Sequence, residues 1–208
     1  MLAPPLIPTI ITTISKLATT LGPMIARTAP MVLKIVGENL PKVVQVIEKV
    51  SIASSVLKPN ESVNELGAKA ISADKAPEDF NQINDYIDYL RNDVTEVTLP
   101  DELTDVLACQ VIGSAILLQA LNTELKTDIS LPFLNNVAEI GLGSKVVFEI
   151  AKAYSNSGLS IEKIEAYSDG QLSLNETKRH SDCLVSAYKN AEPSMTQQEA
   201  EQSVMKDF

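Results

Sequence analysis

The stretch VLACQVIGSAILLQALNT, residues 106–123, contains no charged side chain and decides how the rest of the chain can fold. Gln110 and Gln119 lie on opposite sides of a helical wheel, so no single face of this helix is polar. The pattern is typical of a central helix that other helices surround. A transmembrane span is the alternative, because 18 uncharged residues approach the length that a bilayer requires. In either case Gly113 and Ser114 would let a neighbouring helix approach closely.

Helical signals also dominate on both sides of this stretch. Ser62 with Glu65, and Thr196 with Glu199, have the spacing of capping boxes at helix starts. The patch Val94–Leu99 is the only candidate strand. We therefore predict an all-α fold, a multi-helix bundle of six to eight helices with a proline-punctuated apolar helical arm at the N-terminus.

Glycine and proline give the expected helix boundaries. Pro77 predicts a helix start, and a single helix is expected from Pro132 towards Gly158. Six of the 11 prolines lie within residues 1–57, together with 30 apolar side chains and no aromatic one. Because proline starts or kinks a helix, we expect helices near 8–21, 23–38 and 41–57, or one kinked rod.

Charge divides the chain in the same place. The formal net charge is −10, which disfavours binding to nucleic acid. Residues 1–57 carry five cations against two anions, whereas residues 58–208 carry 12 cations against 25 anions. We therefore divide the chain into a basic apolar helical arm, residues 1–57, and an acidic helical bundle, residues 58–208.

Two patterns in the arm are candidates for contact with a partner. A heptad-like seam is expected from apolar residues at alternating spacings of four and three, which are Val36, Leu40, Val43, Ile47, Val50 and, beyond Ser54, Leu57. On the wheel of one continuous helix the five cations fall within roughly 80° of each other; they are Lys16, Arg27, Lys34, Lys42 and Lys49. Such a stripe suits a membrane surface or an acidic partner, or it is the solvated face of core helices.

The chain offers little for catalysis or metal binding. His180 and Cys183 lie one helical turn apart, but a metal site needs three or four converging ligands, and their neighbours predict a solvated helix face. Gly141 to Lys145 has the wrong residue order for a phosphate-binding loop, so its glycines are expected to permit close packing or a kink. We predict no catalytic residue, no cofactor and no metal site.

These patterns favour a non-enzymatic interaction or structural protein. Its apolar N-terminal helices would dock onto a protein partner or self-assemble, within a larger assembly or as a homo-oligomer. The alternative is a membrane-active protein, a pore former or translocated effector, whose cationic amphipathic arm binds lipid. No signal peptide is recognised, and two distant cysteines suggest a reducing compartment, with membrane association or signal-peptide-independent export left open.

Overall fold

The structure is a computed structural model that describes residues 6–95 and 97–208, and the regular secondary structure in this part of the chain is all helical. Its α-helices are α1 (Leu6–Lys16), α2 (Ala18–Val36), α3 (Leu40–Ala53), α4 (Val63–Ser72), α5 (Ile83–Asn92), α6 (Leu103–Leu125), α7 (Leu131–Ile140), α8 (Ser144–Ser157), α9 (Ile164–Ser168), α10 (Leu174–Ala191) and α11 (Gln197–Asp207). Short 3₁₀ turns cover Gly37–Asn39, Pro77–Asp79 and Ile161–Lys163. The predicted all-α class is confirmed, but six to eight helices was too few.

The candidate strand over 94–99 is not one in the described residues, which here exclude Glu96. The segment between α5 and α6 has no regular structure at its described positions. Residues 1–5 of the predicted arm also lie outside the described part of the chain.

Helix α6 is the centre of the bundle. It is about 34 Å long at 1.5 Å per residue, and every residue from Val111 to Leu118 is buried. Helices α1, α2 and α3 pack against it, as do α4, α5 and α8. An apolar helix with neighbours on several sides has no need of a polar face, which explains why its two glutamines lie on different sides.

Helix α4 approaches α6 more closely than ordinary side chains allow. A Cβ atom added to Gly67 would collide with the backbone carbonyl of Cys109, and one added to Gly113 would collide with that of Val63. The approach at Gly113 was predicted from sequence, whereas its counterpart Gly67 was not. The two glycines let backbone meet backbone along this pair of helices.

Gly22 and Pro23 divide the N-terminal segment at a predicted point. The helix expected near 8–21 is also interrupted at Leu17, however, and the one expected near 41–57 ends at Ala53. Gly22 leaves the helical conformation at φ +76°, and Pro23 begins the next helical piece of α2. The freed amide of Met24 donates a hydrogen bond of 2.6 Å to the Glu78 side chain. The carboxylate therefore caps this helix start and ties it to the segment between α4 and α5.

The predicted seam is not an exposed surface. Its apolar members are at most 3% exposed, and they are Val36, Leu40, Val43, Ile47, Val50 and Leu57. Helix α3 packs on α6, α7 and α8, and α2 packs on α6 and α7. The apolar residues at spacings of four and three therefore pack against helices of the same chain. Described residues 6–57 share one hydrophobic core with the remainder and do not form a separate arm.

Two further helix predictions need correction. The helix expected from Pro132 to Gly158 is two helices, because Gly141 adopts a left-handed conformation at φ +77° and ends α7. Pro77 begins only a 3₁₀ turn, and α5 starts later, at Ile83. By contrast, the side chains of Ser62 and Thr196 cap α4 and α11 as predicted.

The contact between α4 and α6 gives a stability prediction. Gly67→Ala and Gly113→Ala should each lower the free energy of unfolding by about 2 kcal/mol or more, because the new methyl group forces two backbones apart. This loss exceeds the gain of about 1 kcal/mol that alanine brings to a helix interior. Denaturant unfolding followed by circular dichroism measures the change.

Gly143→Ala is the matched control, because a Cβ there would meet no atom within 4 Å. It should change the free energy of unfolding by no more than about 1 kcal/mol. If all three variants were equally stable, the close approach would not limit the fold.

Candidate interaction surface

Against only two anions, the N-terminal helices carry five exposed cations. They are Lys16, Arg27, Lys34, Lys42 and Lys49, and none of them takes part in an ion pair within the described residues. The ion pairs found there use cations from Lys69 to Lys178. Exposed charges without partners lose little hydration energy in the monomer and remain available to an oppositely charged surface.

The cations do not form one continuous stripe, because the helix is broken. Gly22 and the turn Gly37–Asn39 separate the pieces, so a single helical wheel does not apply. Within α2, however, Arg27 and Lys34 are seven residues apart and lie on the same side about 10 Å from each other along the axis. Helix α3 repeats this spacing with its own two lysines. Each helix therefore has its own cation pair on its solvent side.

Exposed apolar side chains accompany the cations on α2. Met31 is 48% exposed and Ile35 is 40% exposed, while their neighbours Val32 and Leu33 are completely buried. Arg27, Met31 and Ile35 follow one another at steps of four, which places them along one side of the helix. We name Arg27, Met31, Lys34 and Ile35 the α2 face.

A groove borders the α2 face. Ile35 lines it from α2, with Phe133 from α7 and Ile161 and Ile164 from the segment that ends in α9. Its volume is about 460 Å³, within the range of sites that hold small ligands or a few side chains. We name it the α7–α9 groove.

Three carboxylates and no cation line the α7–α9 groove, and they belong to Glu139, Glu162 and Glu165. All three residues are exposed, and none is in an ion pair within the described structure. Asn39 donates a 2.6 Å hydrogen bond to Glu139, which joins the corner between α2 and α3 to α7. The groove therefore has an apolar floor with acceptors around it, and favours a cationic occupant.

His180 and Cys183 are not on a solvated helix face, contrary to the sequence-based prediction. His180 is 1% exposed, and its Nδ1 lies 2.8 Å from the Tyr154 hydroxyl. Tyr167 stacks on the imidazole ring with 6.2 Å between centroids. Helix α10 packs on α8, so His180 and Tyr154, which are 26 residues apart in the sequence, meet between these two helices.

Burial makes this pair poorly suited to nucleophilic catalysis. Desolvation raises the pKa of the Cys183 thiol and lowers the pKa of His180. A reactive cysteine needs a depressed pKa and an open approach. The arrangement therefore stabilises the packing of α8 on α10. No group of three or more His, Cys, Asp or Glu side chains that could hold a metal ion occurs in residues 6–95 and 97–208.

Helix α6 is the one helix in the described residues that is long and apolar enough to cross a membrane. Two thirds of its apolar window is buried against the other helices. The core helix of a soluble protein has the same length, apolar character and burial.

No protein-family model matches the chain. Neither the curated proteins nor the solved structures include a match to it. The function must therefore be argued from the chemistry of the surface and core.

The buried histidine gives a prediction of pH dependence. Because its pKa is lowered in the folded state, the unfolded chain binds more protons below its usual value of about 6.5. The free energy of unfolding should therefore fall as the pH drops through about 6.5, by up to about 1.4 kcal/mol per pH unit. Lys163 and Arg179 contribute to the lowered pKa, and Glu176 opposes them.

His180→Gln tests this prediction and keeps a polar partner for Tyr154. His180 is the only histidine, so subtracting the two stability profiles between about pH 7.5 and 5.5 isolates its titration. The variant should show the shallower slope in denaturant unfolding. Parallel profiles would mean that the imidazole titrates equally in both states.

Proposed function

We propose that this chain is a non-enzymatic helical interaction protein that docks onto an acidic protein partner through the outer sides of α2 and α3. The α2 face supplies apolar contact and two cations, and Lys42 and Lys49 extend the positive charge along α3. The observation that carries the proposal is the α2 face, where two exposed cations lie beside two exposed apolar side chains in a chain of net charge −10.

The composition of the α2 face supports a protein partner. Arginine and methionine are enriched in protein interfaces, where an apolar centre is surrounded by polar groups that fix orientation. Met31 and Ile35 provide such a centre next to Arg27 and Lys34. Complementary charges would accelerate association and exclude basic surfaces.

Packing of α2 in the core fixes the orientation of the α2 face. Val32, Leu33 and Val36 are buried on the opposite side of α2 and fix its rotation against α6 and α7. The seam expected to bind a partner thus acts inside the monomer. A rigid helix presents its outer side chains without the entropy cost of ordering a loop.

The non-enzymatic part of the proposal rests on chemistry. The single histidine is buried against two tyrosines, and burial raises the pKa of both Cys109, to about 11, and Cys183. These are the side chains that most often act as base or nucleophile near neutral pH.

A designed peptide tests the proposal directly. The probe is a fluorescent amphipathic helix with leucine on one side and glutamate on the other. Its affinity for the protein should fall at least tenfold in the double variant Arg27→Glu, Lys34→Glu, and should weaken with added salt because the contact is electrostatic. Fluorescence anisotropy measures the affinity.

The matched control is Lys126→Glu, Lys145→Glu, which makes the same change in net charge at two other exposed lysines without ion pairs. It should bind the peptide as the unmodified protein does. Equal loss in both variants would mean that net charge alone matters. Absence of binding by the unmodified protein, at a concentration where sedimentation shows it to be monomeric, would refute the proposal.

A second candidate function is membrane activity, which α6 supports by its length and apolar character. In this alternative the cations of α2 and α3 would bind anionic lipid, and α6 would insert after its neighbours separate. The absence of tryptophan weighs against it, because that residue commonly anchors proteins at membrane interfaces.

Vesicle flotation decides between the two functions. If the membrane candidate is correct, the protein should float with vesicles of phosphatidylcholine and phosphatidylserine and stay in solution with phosphatidylcholine alone. Arg27→Glu, Lys34→Glu should reduce the floated fraction severalfold, because repulsion replaces attraction. If the unmodified protein stays in solution with both, membrane binding is refuted.

A further inference from the structure

We infer that the α7–α9 groove receives the α2 face of a second copy of this chain, so that the protein forms a symmetric dimer. This inference rests on the proposed function, because it uses the same α2 face, and it goes further by naming the partner. The two surfaces have opposite charge and share the exposed apolar side chain of Ile35.

The charges on the two surfaces are complementary. Arg27 and Lys34 of the α2 face lie about 10 Å apart on a helix, and neither has an ion-pair partner in the described monomer. The groove offers Glu139, Glu162 and Glu165, also without ion pairs there. Each surface thus carries charged side chains without ion-pair partners, and the charges on the two surfaces have opposite sign.

The apolar parts correspond as well. Met31 projects from the α2 face with about half of its surface exposed. The floor of the groove contains Phe133, Ile161 and Ile164, each almost fully buried by the chain itself. Because this floor is already buried, the large apolar side chain that a partner can still cover at the groove is Ile35, which is 40% exposed. A methionine side chain adapts well to such an irregular surface.

Ile35 makes a symmetric arrangement possible. It belongs to the α2 face and also lines the groove, so the two surfaces are adjacent parts of one patch. A two-fold axis near Ile35 would place each α2 face on the groove of the other copy. Such an interface uses the same patch twice and closes on itself, which is the commonest form of oligomer.

A second copy is a better occupant than an unrelated basic helix, because the chain itself supplies the complementary group beside the groove. The net charge of −10 on each copy opposes association at long range. At physiological ionic strength the Debye length is about 8 Å, so this repulsion is screened more strongly than the contacts within the interface.

Sedimentation equilibrium tests the inference on the full chain. The unmodified protein should have twice the monomer mass of 22.5 kDa. Arg27→Glu, Lys34→Glu should be monomeric, and so should Glu162→Lys, Glu165→Lys, because each places like charges against each other. Circular dichroism confirms that these surface variants are folded.

Mixing the two monomeric variants is the decisive step. In a mixed dimer both contacts again join opposite charges, so the mass should return to that of a dimer. The control variant Glu192→Lys, Glu201→Lys changes two exposed carboxylates on or beside α11, outside the groove, and should dimerise normally.

The outcomes separate this inference from the proposed function. A monomeric protein that still binds the acidic peptide through Arg27 and Lys34 would overturn the dimer and leave the proposed function intact. A dimer whose mixed variants fail to reassociate would overturn the contact between the α2 face and the groove. A monomer that binds a lysine-bearing amphipathic peptide through Glu162 and Glu165 would assign the groove to another partner.

Discussion

The burial of α6 is the constraint on which the rest of the structure depends. A helix that is apolar on every side is stable in water only when other helices cover all of it, and each large side chain removed from water contributes about 1.5–3 kcal/mol. The N-terminal helices cover one part of it and α4 and α5 another. At Gly67 and Gly113 the backbones of α4 and α6 are in direct contact. Helix α4 therefore covers this side of α6 closely without large side chains between them.

The N-terminal helices have two roles that their amphipathic pattern keeps apart. Their inner sides complete the core around α6, and their outer sides carry exposed cations beside Met31 and Ile35. Because the same helix does both, the packing of Val32 and Leu33 determines where Arg27 points. The proposed docking surface is built on core helices, so it is rigid and cannot be removed without unfolding the bundle.

Local signals in the sequence predicted the helix boundaries better than they predicted the surroundings of the helices. The break at Gly22 and the caps at Ser62 and Thr196 depend on a few adjacent residues, and they were predicted well. Burial of the seam and of His180 depends on which helix lies opposite, and hydrophobic periodicity does not contain that information. The α7–α9 groove combines residues from 35 to 165, so no sequence window could have revealed it.

The contact of α1–α3 with α6 has a consequence for synthesis in the cell. Ribosomes add roughly 5–20 residues per second. Roughly 3 to 14 seconds therefore pass between synthesis of the apolar first 57 residues and synthesis of residue 125, the last residue of α6. During that interval the N-terminal helices can contact one another and the chain up to α5, but α6, which covers their inner sides, does not yet exist. We therefore expect this segment to be open to aggregation during synthesis, and slower translation between residues 57 and 125 should lengthen that exposure.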